Sequence, residues 1–142
     1  MAKSSTFDND FLKLIFNATP IANLADNAAS SPLTNLYISL HTADPTAAGT
    51  QSSNEATYTG YARVSTARTT GAWTVTGASV SPVSNITFPP CTAGSSSVTY
   101  MGVGVASTGA TKLLWSGPVS PTIAVTAGVT PLISTATTIG EA

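Results

Sequence analysis

Charge is what this 142-residue chain has least of: only 8% of its residues are Asp, Glu, Lys or Arg, against about a quarter in an ordinary soluble domain. The basic residues Lys3, Lys13, Arg63, Arg68 and Lys112 are scattered. They are too few to neutralise a run of phosphates, which excludes nucleic acid and anionic membrane surfaces as partners. A formal net charge of −1 gives almost no colloidal repulsion. Such a surface suits packing against other chains better than facing water alone. Cysteine is nearly absent too: Cys91 is the only one, so no intramolecular disulfide can form, and a buried thiol is expected there. Long apolar runs are missing. The stretch from Phe11 to Phe16 follows Asp8 and Asp10 and is interrupted by Lys13, so it reads as neither a signal peptide nor a membrane span, and cytoplasmic synthesis is expected.

The residues that carry catalysis are equally scarce. His41 is the sole imidazole. A Ser-His-Asp set could be drawn from His41, Asp44 and many serines, but no nucleophile-elbow pattern accompanies it. Strand alternation points His41 outward beside a turn, where it should face solvent or bond the turn. One His and one Cys fifty positions apart form no zinc signature, and no Asp-rich loop offers calcium its oxygens. Asp8 and Asp10 are explained by a helix start, while Asp26, Asp44 and Glu55 are dispersed among turns. The glycines, as in Val103-Gly104-Val105 and Ser107-Thr108-Gly109, read as turn residues, and none opens a phosphate-binding loop. The expectation is a protein that is not an enzyme and holds no cofactor or metal.

What is present is Thr, Ser, Val and Gly, a composition that favours strands and turns. Residues 1–32 read as an N-terminal helical arm and 33–142 as a β-sandwich domain. Ser5 or Thr6 can cap a helix that carries Asp8 and Asp10 near its positive end and stops near Asn17. Pro20 can open a second short helix through Ile21, Leu24 and Ala25 as far as the Ser30-Ser31-Pro32 break. From Leu36 the period becomes two, with Leu36, Ile38 and Leu40 on one face and Tyr37, Ser39 and His41 on the other, as in a half-buried strand. Further strands are expected at 61–68, 73–77, 83–88, 98–106, 112–117, 122–125 and 129–135, bounded by Gly, Pro and Ser-rich turns. About eight short strands predict a mainly β protein, an antiparallel β-sandwich with a short N-terminal helical segment. Trp73 and Trp115 fall on separate strands and read as core or interface anchors.

Two segments are candidates for contact with other chains. On the first helix, Phe7, Phe11, Leu12, Leu14, Ile15 and Phe16 cover an arc of roughly 200°, about twice what docking on one core requires. The helix either covers an open end of its own β-domain or also docks on another subunit. The connection from Ala43 to Gly60 exceeds the roughly 12–15 residues at which structureless loops become uncommon. Asn54, Glu55, Tyr58 and Arg63 are its local polar groups. They either help it reach a neighbouring subunit or hold an ordinary surface loop through an exposed Glu55–Arg63 pair worth under about 1 kcal/mol.

Four stretches carry a resemblance: LYISLHTADP at 36–45, NEATYTGYARV at 54–64, ITFPPCTAGSSSVTYMGVGVASTG at 86–109 and LLWSG at 113–117. Together they resemble small bacteriophage virion structural proteins, whose members are often labelled tail-fibre proteins and some of whose relatives resemble head cement, or decoration, proteins with a jelly-roll sandwich. The resemblance implies a jelly-roll-like fold. It also implies a virion component on the capsid exterior, a homodimer or homotrimer whose partner is the major capsid protein. Low charge and missing chemistry agree with such a cement role. The alternative is a tail-fibre or tail-tip module with receptor or glycan contact through Tyr58, Tyr61 and Trp73.

Overall fold

A computed structural model describes residues 3–21, 24–25 and 31–140. The fold is mainly β, with antiparallel sheets and one short N-terminal helix, consistent with a β-sandwich. Nine strands occur among the described residues. The chain divides into two compact units: Met1–Asn35 with Ala67–Asn85 and Ser134–Ala142, and Leu36–Thr66 with Ile86–Ile133.

In the first unit, α1 (Ser5–Asn17) starts one residue before the expected caps: the Ser4 hydroxyl accepts from the Phe7 amide at 3.2 Å. It ends where expected, at Ala18, whose left-handed φ of 53° turns the chain and sends its N–H back to the Lys13 carbonyl. Leu12 and Phe16, one helical turn apart, are fully buried. The helix lies on β3 (Trp73–Thr76) and β4 (Ser79–Pro82), which pair with β9 (Ile139–Gly140) in the order β3-β4-β9. The Phe16 ring meets the Trp73 indole edge-on, with centroids 4.9 Å apart. The β3–β4 hairpin closes through Gly77 at φ 61°, the positive value that its first loop position requires. The expected second helix lies largely outside the described residues. Of those described, Ile21 and Ala25 exchange backbone bonds of 2.9 Å, a bridge where a helical turn was expected.

In the second unit, β1 (Asn35–His41), β2 (Val64–Ala67), β6 (Ser95–Gly104) and β7 (Leu113–Thr126) form a sheet ordered β2-β1-β6-β7. A small second sheet joins β5 (Ile86–Thr87) to β8 (Leu132–Ile133). Cross-strand pairs Ile38–Val103 and Leu40–Met101 put the apolar face of β1 against its match on β6, and all four side chains are buried. Phe88 and Tyr61 stack nearly parallel at 6.4 Å, and Tyr58 meets Tyr61 edge-on at 5.4 Å. Cys91 is buried, with its thiol 3.3 Å from the Ala93 carbonyl.

The strand expected at 83–88 shortens to β5, Ile86–Thr87, and β4 at Ser79–Pro82 was not expected. Those expected at 112–117 and 122–125 are one, β7. Proline and serine suggested a turn between them, but they form an outward bulge. The register runs Tyr100–Pro118 and then Val98–Ile123, so Val119 to Thr122 stand opposite Thr99 alone.

Candidate functional site

The long connection after β1 is held by buried polar groups of the second unit. Arg63 is 8% exposed and uses its whole guanidinium. Its Nε and one terminal nitrogen grip the Glu55 carboxylate at 2.7 and 2.8 Å. The other terminal nitrogen donates to the Ala106 carbonyl at 3.0 Å, and the terminal nitrogen on Glu55 also reaches the Gly109 carbonyl at 2.9 Å and the Ser52 hydroxyl at 3.2 Å. This planar fork suits a bidentate carboxylate as a lysine could not. The Tyr61 hydroxyl donates to Glu55 at 2.8 Å and accepts from the Leu40 amide at 3.1 Å. Burial, with the Glu55 carboxylate close by, raises the Tyr61 hydroxyl far above its ordinary pKa. The Glu55–Arg63 pair therefore exists, but it is not the exposed pair of the surface-loop reading: the Arg63 side chain is 2% exposed and that of Glu55 16%.

Gln51 is a second anchor, fully buried. Its Nε2 donates to the Tyr37 carbonyl at 3.3 Å, while its Oε1 accepts from the Val105 and Ala106 amides and from the Thr111 hydroxyl at 2.9, 3.1 and 2.7 Å. It lies flat on Gly104, where an added Cβ would fall 1.9 Å from its Cδ. Gly102 likewise leaves room for His41 and Ser39, each 2.7 Å from where its Cβ would be. Gly104 was expected in a turn. Both glycines lie inside β6 and are buried, because the polar side chains of Gln51, Ser39 and His41 pack directly on them.

His41 is fully buried rather than solvent-facing, because residues of the long connection cover that face of β1. The turn-bonding half of the expectation holds: Nδ1 donates to the Ser53 carbonyl at 2.8 Å, which leaves Nε2 to accept from the Ser39 hydroxyl at 2.8 Å. Burial lowers the His41 pKa from its ordinary value, helped by Arg63 and opposed by the Ser53 bond and Glu55. The ring is neutral and both nitrogens are used, as in a structural histidine.

The other expected contact residues divide by position. Asn54 is exposed, held at φ 53° with its amide on the Asp44 carbonyl at 3.0 Å. Tyr58 is buried, and its hydroxyl donates to the Pro89 carbonyl at 2.9 Å. With Tyr58 and Trp73 both buried, neither ring offers a face on which a sugar could stack. On α1, Leu12 and Phe16 face inward, Phe11, Leu14 and Ile15 are half-buried, and Phe7 is 37% exposed. The Lys3 ammonium lies 5.7 Å from the centre of the Phe11 ring. Arg68 carries a role the sequence did not signal: its Nε and a terminal nitrogen donate at 2.6 and 2.7 Å to the Ile15 and Leu14 carbonyls, which the end of the helix leaves open.

Strand β7 is one of the two outer strands of its sheet. It contains no charged residue and only Val125 on it is buried. Natural proteins protect so long an edge with charges, bulges or prolines; here Pro118, Pro121 and the bulge do so at its centre, leaving two uncharged flanks. Among the described residues no helix is long and apolar enough to cross a membrane. A search of curated proteins found no match to the chain. A family model described as "Podophage GP4 fiber I protein gp80" matches residues 6–139. That span takes in the described helix and strands, save Ser5 at one end and Gly140 at the other, and the Arg63 clamp, and the chain belongs to this family of phage virion structural proteins.

Proposed function

We infer that the chain is a non-enzymatic structural subunit of a phage fibre, held in the particle by contacts with copies of itself and with neighbouring virion proteins. The observation that carries this reading is the family match across nearly the whole chain. Two features support it. The polar groups that could have been reactive, His41, Glu55, Arg63 and Tyr61, are committed to holding one loop. The flanks of β7 lie on an outer strand of the sheet and carry no charge, a surface suited to contact with a neighbouring subunit.

Labelling the subunit on intact virions tests the placement. Label on the fibres is the expected result. Label over the head shell, in fixed proportion to the major capsid protein, would overturn the fibre reading in favour of a cement protein on the capsid exterior.

A further inference from the structure

Gln51 is held more tightly by its oxygen than a neutral amide needs. Its Oε1 accepts from the Val105 and Ala106 amides and from the Thr111 hydroxyl at 2.9, 3.1 and 2.7 Å. These are three donors on an oxygen that has two lone pairs. All three places are filled once the oxygen carries a full negative charge, as in the tetrahedral adduct of an acyl transfer. The consecutive N–H groups of Val105 and Ala106 already lie at the distances that such an oxyanion takes. The other end of the amide is loosely held. Among the described residues Nε2 has one hydrogen bond, to the Tyr37 carbonyl at 3.3 Å, longer than the roughly 2.7–3.2 Å of an ordinary one.

The hydroxyl in this set is also a nucleophile within reach. Thr111 Oγ1 lies 2.7 Å from Oε1, and a carbonyl bond is about 1.2 Å long, so the hydroxyl oxygen is within about 4 Å of the Gln51 Cδ. The backbone fixes the two residues side by side: the Gln51 N–H donates to the Thr111 carbonyl at 2.9 Å, and Thr50 bridges Lys112. Groups held in this way meet without the entropy cost of an encounter. Arg63 Nη1 stands 3.5 Å from Thr111 Oγ1, a cation that favours ionisation of the hydroxyl. Gln51 is fully buried, its amide lying on Gly104, so water does not compete for the carbonyl.

We propose that Thr111 and Gln51 become joined by an ester that the chain forms on itself. Thr111 Oγ1 bonds to Cδ as the carbonyl electron pair moves onto Oε1, where the Val105 and Ala106 N–H groups hold it. The pair returns, the Cδ–Nε2 bond breaks, and the hydroxyl proton leaves on Nε2 as ammonia. No other reactant is consumed. The bond forms once per chain and ties the long connection after β1 to the segment ahead of β7, wherever the subunit sits in the virion. Mass spectrometry of the purified, denatured chain reads the step, because loss of ammonia lowers the mass by about 17 Da. The parent chain should show that loss, and trypsin should release peptides 14–63 and 69–112 still joined. Dilute alkali should separate them, leaving a carboxylate in place of the Gln51 amide. Thr111→Ser keeps a hydroxyl and should keep the loss, whereas Thr111→Val and Gln51→Ala should each run at their full calculated mass. A parent chain at its full calculated mass overturns the proposal. So does a loss that persists in Thr111→Val, or a light chain whose two peptides come apart on trypsin digestion alone.

Discussion

Glu55 and Arg63 show why a buried ion pair is judged by what its loss leaves behind. Exchanging both for apolar residues can be neutral, but removing one strands the other charge in the interior, at a cost of about 3–5 kcal/mol. Glu55→Ala should therefore destabilise the protein by that amount in denaturant titration, while Glu55→Met combined with Arg63→Met should recover much of it. His41 sets a pH dependence whose sign follows from its lowered folded-state pKa. Between that value and the unfolded value near 6.5 the unfolded chain binds more protons, so stability is full above about pH 6.5 and falls as the pH drops through the folded-state pKa. In His41→Asn the melting temperature should lose this acid-side slope. The sequence offered Glu55 and Arg63 as a pair but not their burial, and it placed His41 outward. Strand parity says which face a side chain takes; it does not say that Gln51 and Ser53 will return from the long connection to cover that face.

Helix α1 shows how an element can be legible while its environment is not. Its extent followed from Asp8, the spacing of Leu12 and Phe16, and the stop after Asn17. The docking surface on β3 and β4 and the Arg68 cap come from residues more than fifty positions away, which no local pattern encodes. Phe16→Ala should cost about 3–5 kcal/mol through the cavity left against Trp73, and the loss should appear as a change in tryptophan fluorescence on unfolding. Strand β7 failed as a reading for a different reason: Pro118 and Pro121 obey the local rule for a turn, yet on an edge strand proline removes only a donor that faces outward, so a bulge is tolerated. Ser116→Lys with Ala124→Lys puts charge on both exposed flanks. In sedimentation velocity this variant should remain monomeric under conditions where the parent chain associates, with melting temperature unchanged.

Across the chain, the composition argument and the family agree on a structural virion protein, one with 11 charged residues, five basic and six acidic. So small a charge predicts that self-association depends little on salt. Raising ionic strength from about 0.05 to 0.5 M should leave the sedimentation distribution almost unchanged, because apolar and backbone contacts are not screened. Fold class was readable because alternation and turn residues are local. Which virion component this is was not, because neither alternation nor turn chemistry distinguishes a fibre subunit from a cement protein. The Arg63 clamp has one more effect. It holds the 106–111 segment mainly by the main-chain oxygens of Ala106 and Gly109, while the side chains of Ser107, Thr108 and Ala110 point into solvent. A grip on carbonyls is indifferent to side-chain identity. The turn is thus a rigid mount whose visible face can drift in evolution, or be rewritten in the laboratory as a display position, provided Gly109 keeps its φ of 85°.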